Sequence, residues 1–150
     1  MKKVILLLLG LIPFVLGFLM DSWLMQNPNS ILPFKLIGMV FLIFWIVVGF
    51  ITGKFENTPL LSAVSIHLPA FIVLVLIMFQ SIILGQFWSN IVGWATQMYY
   101  LPLINISGTL VRIILFLIPT HFWIMCLMAF LLMFGSYYLG CYLKKLLSKK

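Results

Sequence analysis

The amino-acid sequence predicts an all-α integral membrane protein with four transmembrane helices and an extracytoplasmic amphipathic interfacial helix between the third and the fourth. Two observations lead to this fold class. The 150-residue chain is 65% hydrophobic and only 7% charged, whereas a soluble domain carries roughly 25% charged residues. Its apolar runs are also longer than a buried core helix requires. The chain therefore suits a hydrocarbon solvent, and its length corresponds to one domain.

Four apolar runs define the predicted spans. The first follows Lys2 and Lys3 and resembles a signal peptide, but it is longer than the usual apolar region and ends in GFLMDSW without an A-x-A-like site. We therefore interpret it as a retained span. The second run ends at the polar turn GKFENTP, and the third is long enough to cross a hydrocarbon core of about 30 Å. The predicted spans are about residues 4–25, 34–53, 60–84 and 119–143, with interfacial or short helices at about 86–118.

The start of the fourth span is predicted from a proline. As a single helix, residues 109–143 would extend roughly 52 Å at about 1.5 Å per residue, which is too long for one span. The same stretch is too short for two spans and a turn. Pro119 divides it, because proline cannot continue the hydrogen-bond ladder of a helix.

The positions of the basic residues predict the orientation. Four spans put both termini and Lys54 on one side, which then holds seven of the nine basic residues, while Lys35 and Arg112 remain on the other. An excess of Lys and Arg marks the cytoplasmic side. We therefore predict a multi-pass protein of the cell membrane with both termini cytoplasmic. The opening MKK and the short loops are typical of a bacterial protein.

The stretch QFWSNIVGWATQMYYLPLINISG, residues 86–108, is polar but carries no charge. Its residues alternate between two helical faces, an apolar one (Phe87, Ile91, Trp94, Ala95, Met98) and a polar one (Gln86, Asn90, Gly93, Gln97). Aromatic rings favour the headgroup level, where amides can hydrogen-bond without burying an ion. An interfacial helix is the prediction, and a re-entrant or substrate-contacting element is the alternative. The candidate interfacial or ligand contacts are Arg112, Trp88, Trp94, Asn90 and Gln97.

Arg112 is the one charge placed within an apolar run, GTLVRIILFLIP. At the membrane centre it would be costly, but near the outer boundary its long stem can reach lipid phosphates. We expect this role. The alternative is that Arg112 grips an anionic ligand or the carboxylate of a partner.

The third span carries the candidate polar lining or packing residues Ser62, Ser65, Gln80 and His67. The two serines and Gln80 share a helical face with Pro69, and we predict that this face turns into the bundle. Pro69 leaves the Ser65 carbonyl without its helical donor, and a nearby hydroxyl can compensate. A solute-lining face is the alternative. We interpret His67, which lies on another side of the helix, as a packed histidine.

Small residues one turn apart predict sites of close helix packing. Such residues matter because helix association in lipid depends on close backbone approach. The pairs are Gly49 and Gly53, Ser81 and Gly85, and Ser136 and Gly140, and the first span adds Gly10 and Gly17 on one face.

The sequence argues against several kinds of chemistry. Asp21 and Glu56 are the only acids and fall on opposite sides of the membrane, which excludes a paired-carboxylate site. Cys126 and Cys141 would be roughly 22 Å apart on one helix, beyond disulfide reach. The basic residues form no continuous patch for nucleic acid. We expect no enzymatic activity, no cofactor, no metal and no nucleic acid partner.

The expected function is therefore that of a non-enzymatic protein acting through helix–helix contacts. It would be an accessory subunit or a protection or immunity-type factor. Its expected partners are the lipid bilayer and either another membrane protein or further copies of itself. The alternative is an oligomeric small-solute or ion transporter or channel, lined by Ser62, Ser65 and Gln80, with Arg112 at its outer mouth.

Overall fold

A computed structural model describes residues 2–53, 55–114, 116 and 121–148. Every regular element in this part of the chain is helical, which confirms the all-α class. The elements are α1 (Lys2–Leu9), α2 (Ile12–Gln26), α3 (Phe34–Thr52), α4 (Pro59–Met78), a π-helical turn (Phe79–Ile83), α5 (Ile91–Tyr99), α6 (Leu101–Ile114) and α7 (Phe122–Leu147).

Four of the described segments are long and apolar enough to cross a membrane: Lys3–Gln26, Phe34–Thr52, Pro59–Ile83 and Phe122–Leu147. The number of candidate spans matches the prediction. The fourth one ends at Leu147 rather than at residue 143, and Pro119, predicted as its start, lies outside the described residues.

Short connections make the first three spans alternate in direction, and contacts place the fourth span parallel to the second, so the bundle has two ends. We call the end with the start of α1, the α3–α4 turn and the end of α7 the terminal end. The end with the α2–α3 connection and residues 86–90 is the hairpin end. Contacts agree with these directions, because α7 runs parallel to α3, with Gly49 facing Tyr137 and Gly53 facing Cys141.

The first span is broken between α1 and α2, at Gly10 and Leu11. Pro13 has no N–H to donate to the carbonyl of the preceding turn, and the Phe14 amide bonds to the Leu11 carbonyl rather than to that of Gly10. The Gly10 carbonyl therefore lacks its helical donor. The Tyr99 hydroxyl donates a hydrogen bond to it instead.

Helices α5 and α6 form a helical hairpin that enters the bundle. Helix α5 packs on α2 and α4, and α6 lies among α2, α3 and α7. At their joint, the buried Tyr100 hydroxyl donates to the Ala70 carbonyl at 2.6 Å. Ala70 lies 11 residues after Pro59 (70 − 59) and 13 before Ile83 (83 − 70), hence halfway along the third span. With 14 residues, α6 is roughly 21 Å long, shorter than a span.

Helix α5 differs from the predicted interfacial helix in where it begins and in the position of Gly93. It begins at Ile91 rather than at residue 86. Gly93, predicted on the polar face, is buried against the Trp88 carbonyl. The reason is steric: Gly93 and Thr96 are small enough to let α5 approach the chain around Trp88 and the end of α4.

Glycines bring α3 and α7 into the most extensive helix contact of the described residues. A Cβ atom at Gly49 would overlap the Tyr137 carbonyl, and one at Gly140 would overlap the Ile46 carbonyl. Close backbone approach of this kind drives helix association in lipid. The predicted pair of Gly49 and Gly53 and, from the predicted pair of Ser136 and Gly140, Gly140 therefore contribute to this interface. In the first span, Gly10 lies just as close to the backbone of α4, and Gly17 to that of α5. A Cβ atom at Gly85 would meet no neighbouring atom within 4 Å, so the predicted pair of Ser81 and Gly85 does not bring two helices together at that glycine.

Candidate functional site

A polar cluster lies buried between α3, α4 and α7 towards the terminal end. The Tyr137 hydroxyl is 2.7 Å from Thr52 Oγ1 and 2.7 Å from Ser62 Oγ. Thr52 donates its own proton to the Val48 carbonyl at 2.7 Å. The Tyr137 hydroxyl must therefore donate to Thr52 and accept from Ser62. These three hydroxyl groups form one directed chain that links three helices.

His67 lies next to this cluster and is 2% exposed. The ring centroids of Trp45, Phe134 and Tyr137 are 5.0, 5.5 and 5.4 Å from that of His67. Its Nδ1 is 2.9 Å from the Ala63 carbonyl, which can only accept, so Nδ1 carries the proton. Nε2 has no hydrogen-bond partner among the described residues.

The cluster offers no nucleophile–base pair in this geometry. The Ser62 hydroxyl donates to Tyr137 and not to the imidazole of His67. Neither of the two acidic residues of the chain belongs to the cluster. The hydroxyl chain thus connects the three helices.

Gln80 holds the hairpin end of the third span to α5. Its Oε1 accepts from the Trp88 amide at 2.9 Å, and its Nε2 lies 3.3 Å from the Leu76 carbonyl and 3.4 Å from Thr96 Oγ1. The residue is fully buried within the π-helical turn. Both ends of the amide are therefore occupied by bonds that fix the chain.

The buried face of α4 is rotated from the predicted one. Ser62 and Gln80 are fully buried as predicted, but Ser65 is only half-buried, and its side chain makes no hydrogen bond among the described residues. The buried stripe instead includes Ala63, His67 and Ala70. Small alanines on this stripe allow close approach of the neighbouring helices.

Four of the five predicted contact residues at the hairpin end come together around one cavity of about 550 Å³. They are Trp88, Asn90, Trp94 and Gln97. Asn90 caps α5, because its Oδ1 accepts from the amides of Val92 and Gly93 at 3.1 and 3.0 Å. Arg112, the fifth, lies elsewhere, exposed in the last turn of α6.

A second opening is an apolar groove of about 610 Å³ between α2 and α3. These two helices are kept apart by α6, which contacts both. Side chains on the walls are widely exposed, Val40 by 58% and Leu19 by 58%. The lining residues, all apolar, are Ile12, Val15, Leu16, Leu19, Leu36, Ile37, Val40, Phe41 and Phe44.

Sequence reasoning missed Thr52 and Tyr137 as cluster residues. A signal was present, because Thr52 follows Gly49 by three residues and Tyr137 precedes Gly140 by three. Residues three apart share a helical face, so each lies on the face that its glycine brings to the neighbouring helix. Tyr99 and Tyr100 were also missed, and their pairing with Gly10 and Ala70 depends on tertiary structure alone.

Comparisons with protein-family models, with curated proteins and with solved structures found no match.

Proposed function

We propose that this chain is a non-enzymatic, multi-pass membrane protein that binds one transmembrane helix of a partner membrane protein. It would act as an accessory subunit or as a protection or immunity-type factor. The observation that carries the proposal is the apolar groove between α2 and α3, which is open along the outer surface of the bundle.

The walls of the groove suit a helix. Leu36, Val40 and Phe44 recur every four residues along α3, and Ile12 and Leu16 do so along α2. Rows of side chains four apart form the ridges and grooves into which a neighbouring helix packs. Because lipid provides no hydrophobic drive between helices, such packing is what selects a partner within the membrane.

The polar residues support a binding role over transport. Ser62 and Gln80, two of the three candidate lining residues, are fully buried and hydrogen-bonded to other parts of the chain. Moving a solute past them would break bonds that connect α4 to α7 and to α5. The hydroxyl cluster likewise supports the bundle.

The proposed setting is the cell membrane, with both termini cytoplasmic and the hairpin entering the bilayer from the outer side. The excess of basic residues at the terminal end supports this orientation. The bond from Tyr100 to the middle of the third span supports a re-entrant hairpin.

A photo-crosslinking residue in place of Val40 tests the proposal in native membranes. Its matched control is Ile72, which is also β-branched, is 53% exposed against 58% for Val40, and lies on α4 away from the groove. We expect a discrete protein adduct at position 40 and only lipid adducts at position 72. The same adducts at both positions, or none at 40, would contradict the proposal. An adduct of twice the chain's own mass would instead identify the partner as a second copy of this chain.

A further inference from the structure

A separate cavity of about 420 Å³ lies at the hairpin end, bounded by the start of α3, by α6 and by the start of α7. This volume falls in the lower part of the range of roughly 300–1,000 Å³ that is usual for small-ligand sites. The residues that line it are Lys35, Ile104, Asn105, Gly108, Thr109, Arg112, Ile113 and Met125.

The cavity concentrates positive charge. It brings together Lys35 and Arg112, and neither acidic residue of the chain is among its described lining residues. Lys35 lies in the first turn of α3, which contains no acid and has no side-chain cap. A cation at the positive end of a helix dipole is unfavourably placed, and a second cation nearby adds to the cost. A bound anion would offset both the unfavourable interaction of Lys35 with the helix dipole and the repulsion between the two cations.

The hydrogen-bonding groups also suit an oxyanion. The guanidinium of Arg112 presents donors in a planar fork that matches phosphate geometry, and Lys35 supplies a point charge. The Asn105 side chain has no hydrogen-bond partner among the described residues, which leaves its amide N–H groups free to donate. Thr109 has already given its proton to the Asn105 carbonyl, at 2.8 Å.

The rest of the lining is apolar, with Ile104, Ile113 and Met125 beside the polar groups. This division fits a ligand that has a charged head and an apolar continuation, as phospholipids do. A free oxyanion would use the polar part alone.

We propose that this cavity binds a phosphate group, carried either by the headgroup of an anionic phospholipid or by free phosphate, with Arg112 and Lys35 as its principal contacts. This site is distinct from the groove between α2 and α3, and neither proposal depends on the other.

The test uses the full chain, purified in neutral detergent and stripped of lipid. Native mass spectrometry measures the retention of added phosphatidylglycerol and of zwitterionic phosphatidylcholine, and equilibrium dialysis measures inorganic phosphate. We expect one phosphatidylglycerol to be retained per chain, with weaker retention of phosphatidylcholine. Binding of phosphatidylglycerol without inorganic phosphate supports the lipid as the source. Binding of inorganic phosphate that competes with phosphatidylglycerol supports the free anion.

Charge-matched variants distinguish binding in this cavity from a general electrostatic attraction between the basic chain and an anionic probe. Lys35→Gln/Arg112→Gln should lower the affinity for the bound probe by about tenfold or more for each charge removed, the factor expected for the loss of a hydrogen bond to a charged group. Lys3→Gln/Lys145→Gln removes the same net charge at the terminal end and should bind like the wild type. Arg112→Lys keeps the charge without the fork and should bind with intermediate affinity, which provides a readout if the double variant does not fold.

Two results would overturn the proposal. One is that the wild-type chain retains neither probe. The other is that Lys35→Gln/Arg112→Gln, or Arg112→Lys alone where the double variant does not fold, binds as tightly as the wild type.

Discussion

Replacing Tyr137 with phenylalanine removes one oxygen atom from the centre of the bundle and keeps the ring. The ring contacts with Trp45 and His67, at centroid distances of 6.1 and 5.4 Å, remain. Two hydroxyl–hydroxyl bonds of 2.7 Å, to Thr52 and Ser62, are lost. The substitution therefore isolates the contribution of the hydroxyl chain to stability.

The expected cost follows from the bonds that are lost and those that remain. Hydrogen bonds between membrane helices contribute about 0.6 kcal/mol on average and up to about 1.7 kcal/mol. Thr52 keeps its bond to the Val48 carbonyl, whereas Ser62 loses the acceptor of its proton. We expect Tyr137→Phe to lower the free energy of unfolding by about 1–2 kcal/mol.

Reversible unfolding in mixed detergent micelles, followed by far-ultraviolet circular dichroism, measures this change. Tyr138→Phe is the control, because Tyr138 is on the same helix, is 39% exposed and is not part of the cluster. It should unfold like the wild type. Combining Ser62→Ala with Tyr137→Phe should cost less than the sum of the two single changes, by about 0.6 kcal/mol or more. Equal stability of Tyr137→Phe and Tyr138→Phe would refute the hydroxyl chain.

Two further predictions concern packing and orientation. Gly140→Ala should destabilise the protein by about 1–3 kcal/mol, since the new Cβ overlaps the Ile46 carbonyl. Gly135→Ala, on the same helix with open space around it, should be neutral or stabilising by up to about 1 kcal/mol. The same unfolding assay compares the two variants. Equal changes in their free energy of unfolding would contradict the close contact between α3 and α7. In intact cells and a Cys126→Ala/Cys141→Ala background, a cysteine in place of Asn29 should react with an impermeant thiol reagent, whereas cysteines in place of Asn57 and Ser148 should be shielded. Labelling at position 148 in unlysed cells would exclude the proposed orientation.

Composition was enough to predict the spans. Residues 36–51 of the segment Phe34–Thr52 are apolar on all sides, so the length and hydrophobicity of the segment identify it without knowledge of its neighbours. The glycine pairs were also informative, because Gly49 and Gly140 lie where two backbones meet. What these patterns could not give was the rotation of each helix about its axis. On α4, Ser65 was expected inside and is half-buried, since the fit of Ala63 and Ala70 against neighbouring helices decides the rotation.

For a related reason, the sequence left open whether the segment at residues 86–108 is an interfacial helix or a re-entrant element. Short amphipathic helices have the same pattern whether they lie on a bilayer or enter a bundle. The difference arises from the hydroxyls of Tyr99 and Tyr100, which bond to carbonyls 89 and 30 residues away along the chain. One of these carbonyls, that of Gly10, is free only because the first span breaks before Pro13. Hydrogen bonds between residues so far apart along the chain leave no recognisable pattern in the local sequence.

The candidate sites show the same limit. Arg112 was identified from its position in an apolar run, but its partner Lys35 was not, because the cavity that they share exists only once α6 returns beside α3. The groove between α2 and α3 also depends on α6 holding the two helices apart. Residue type therefore pointed to single contacts, and the fold was needed to assemble them.

The central claim, that the protein binds a partner helix in the groove between α2 and α3, is tested most directly by extraction from native membranes. The measurement is the mass and composition of the complex in mild detergent, by light scattering and mass spectrometry, for the wild type, Val40→Trp and Ile72→Trp. The indole at position 40 would fill the groove, whereas the one at position 72 would face lipid. We predict one partner membrane protein in a fixed ratio with the wild type and with Ile72→Trp, and its loss from Val40→Trp. A wild-type protein that is strictly monomeric and without a partner, or a partner that Val40→Trp retains in full, would contradict the claim.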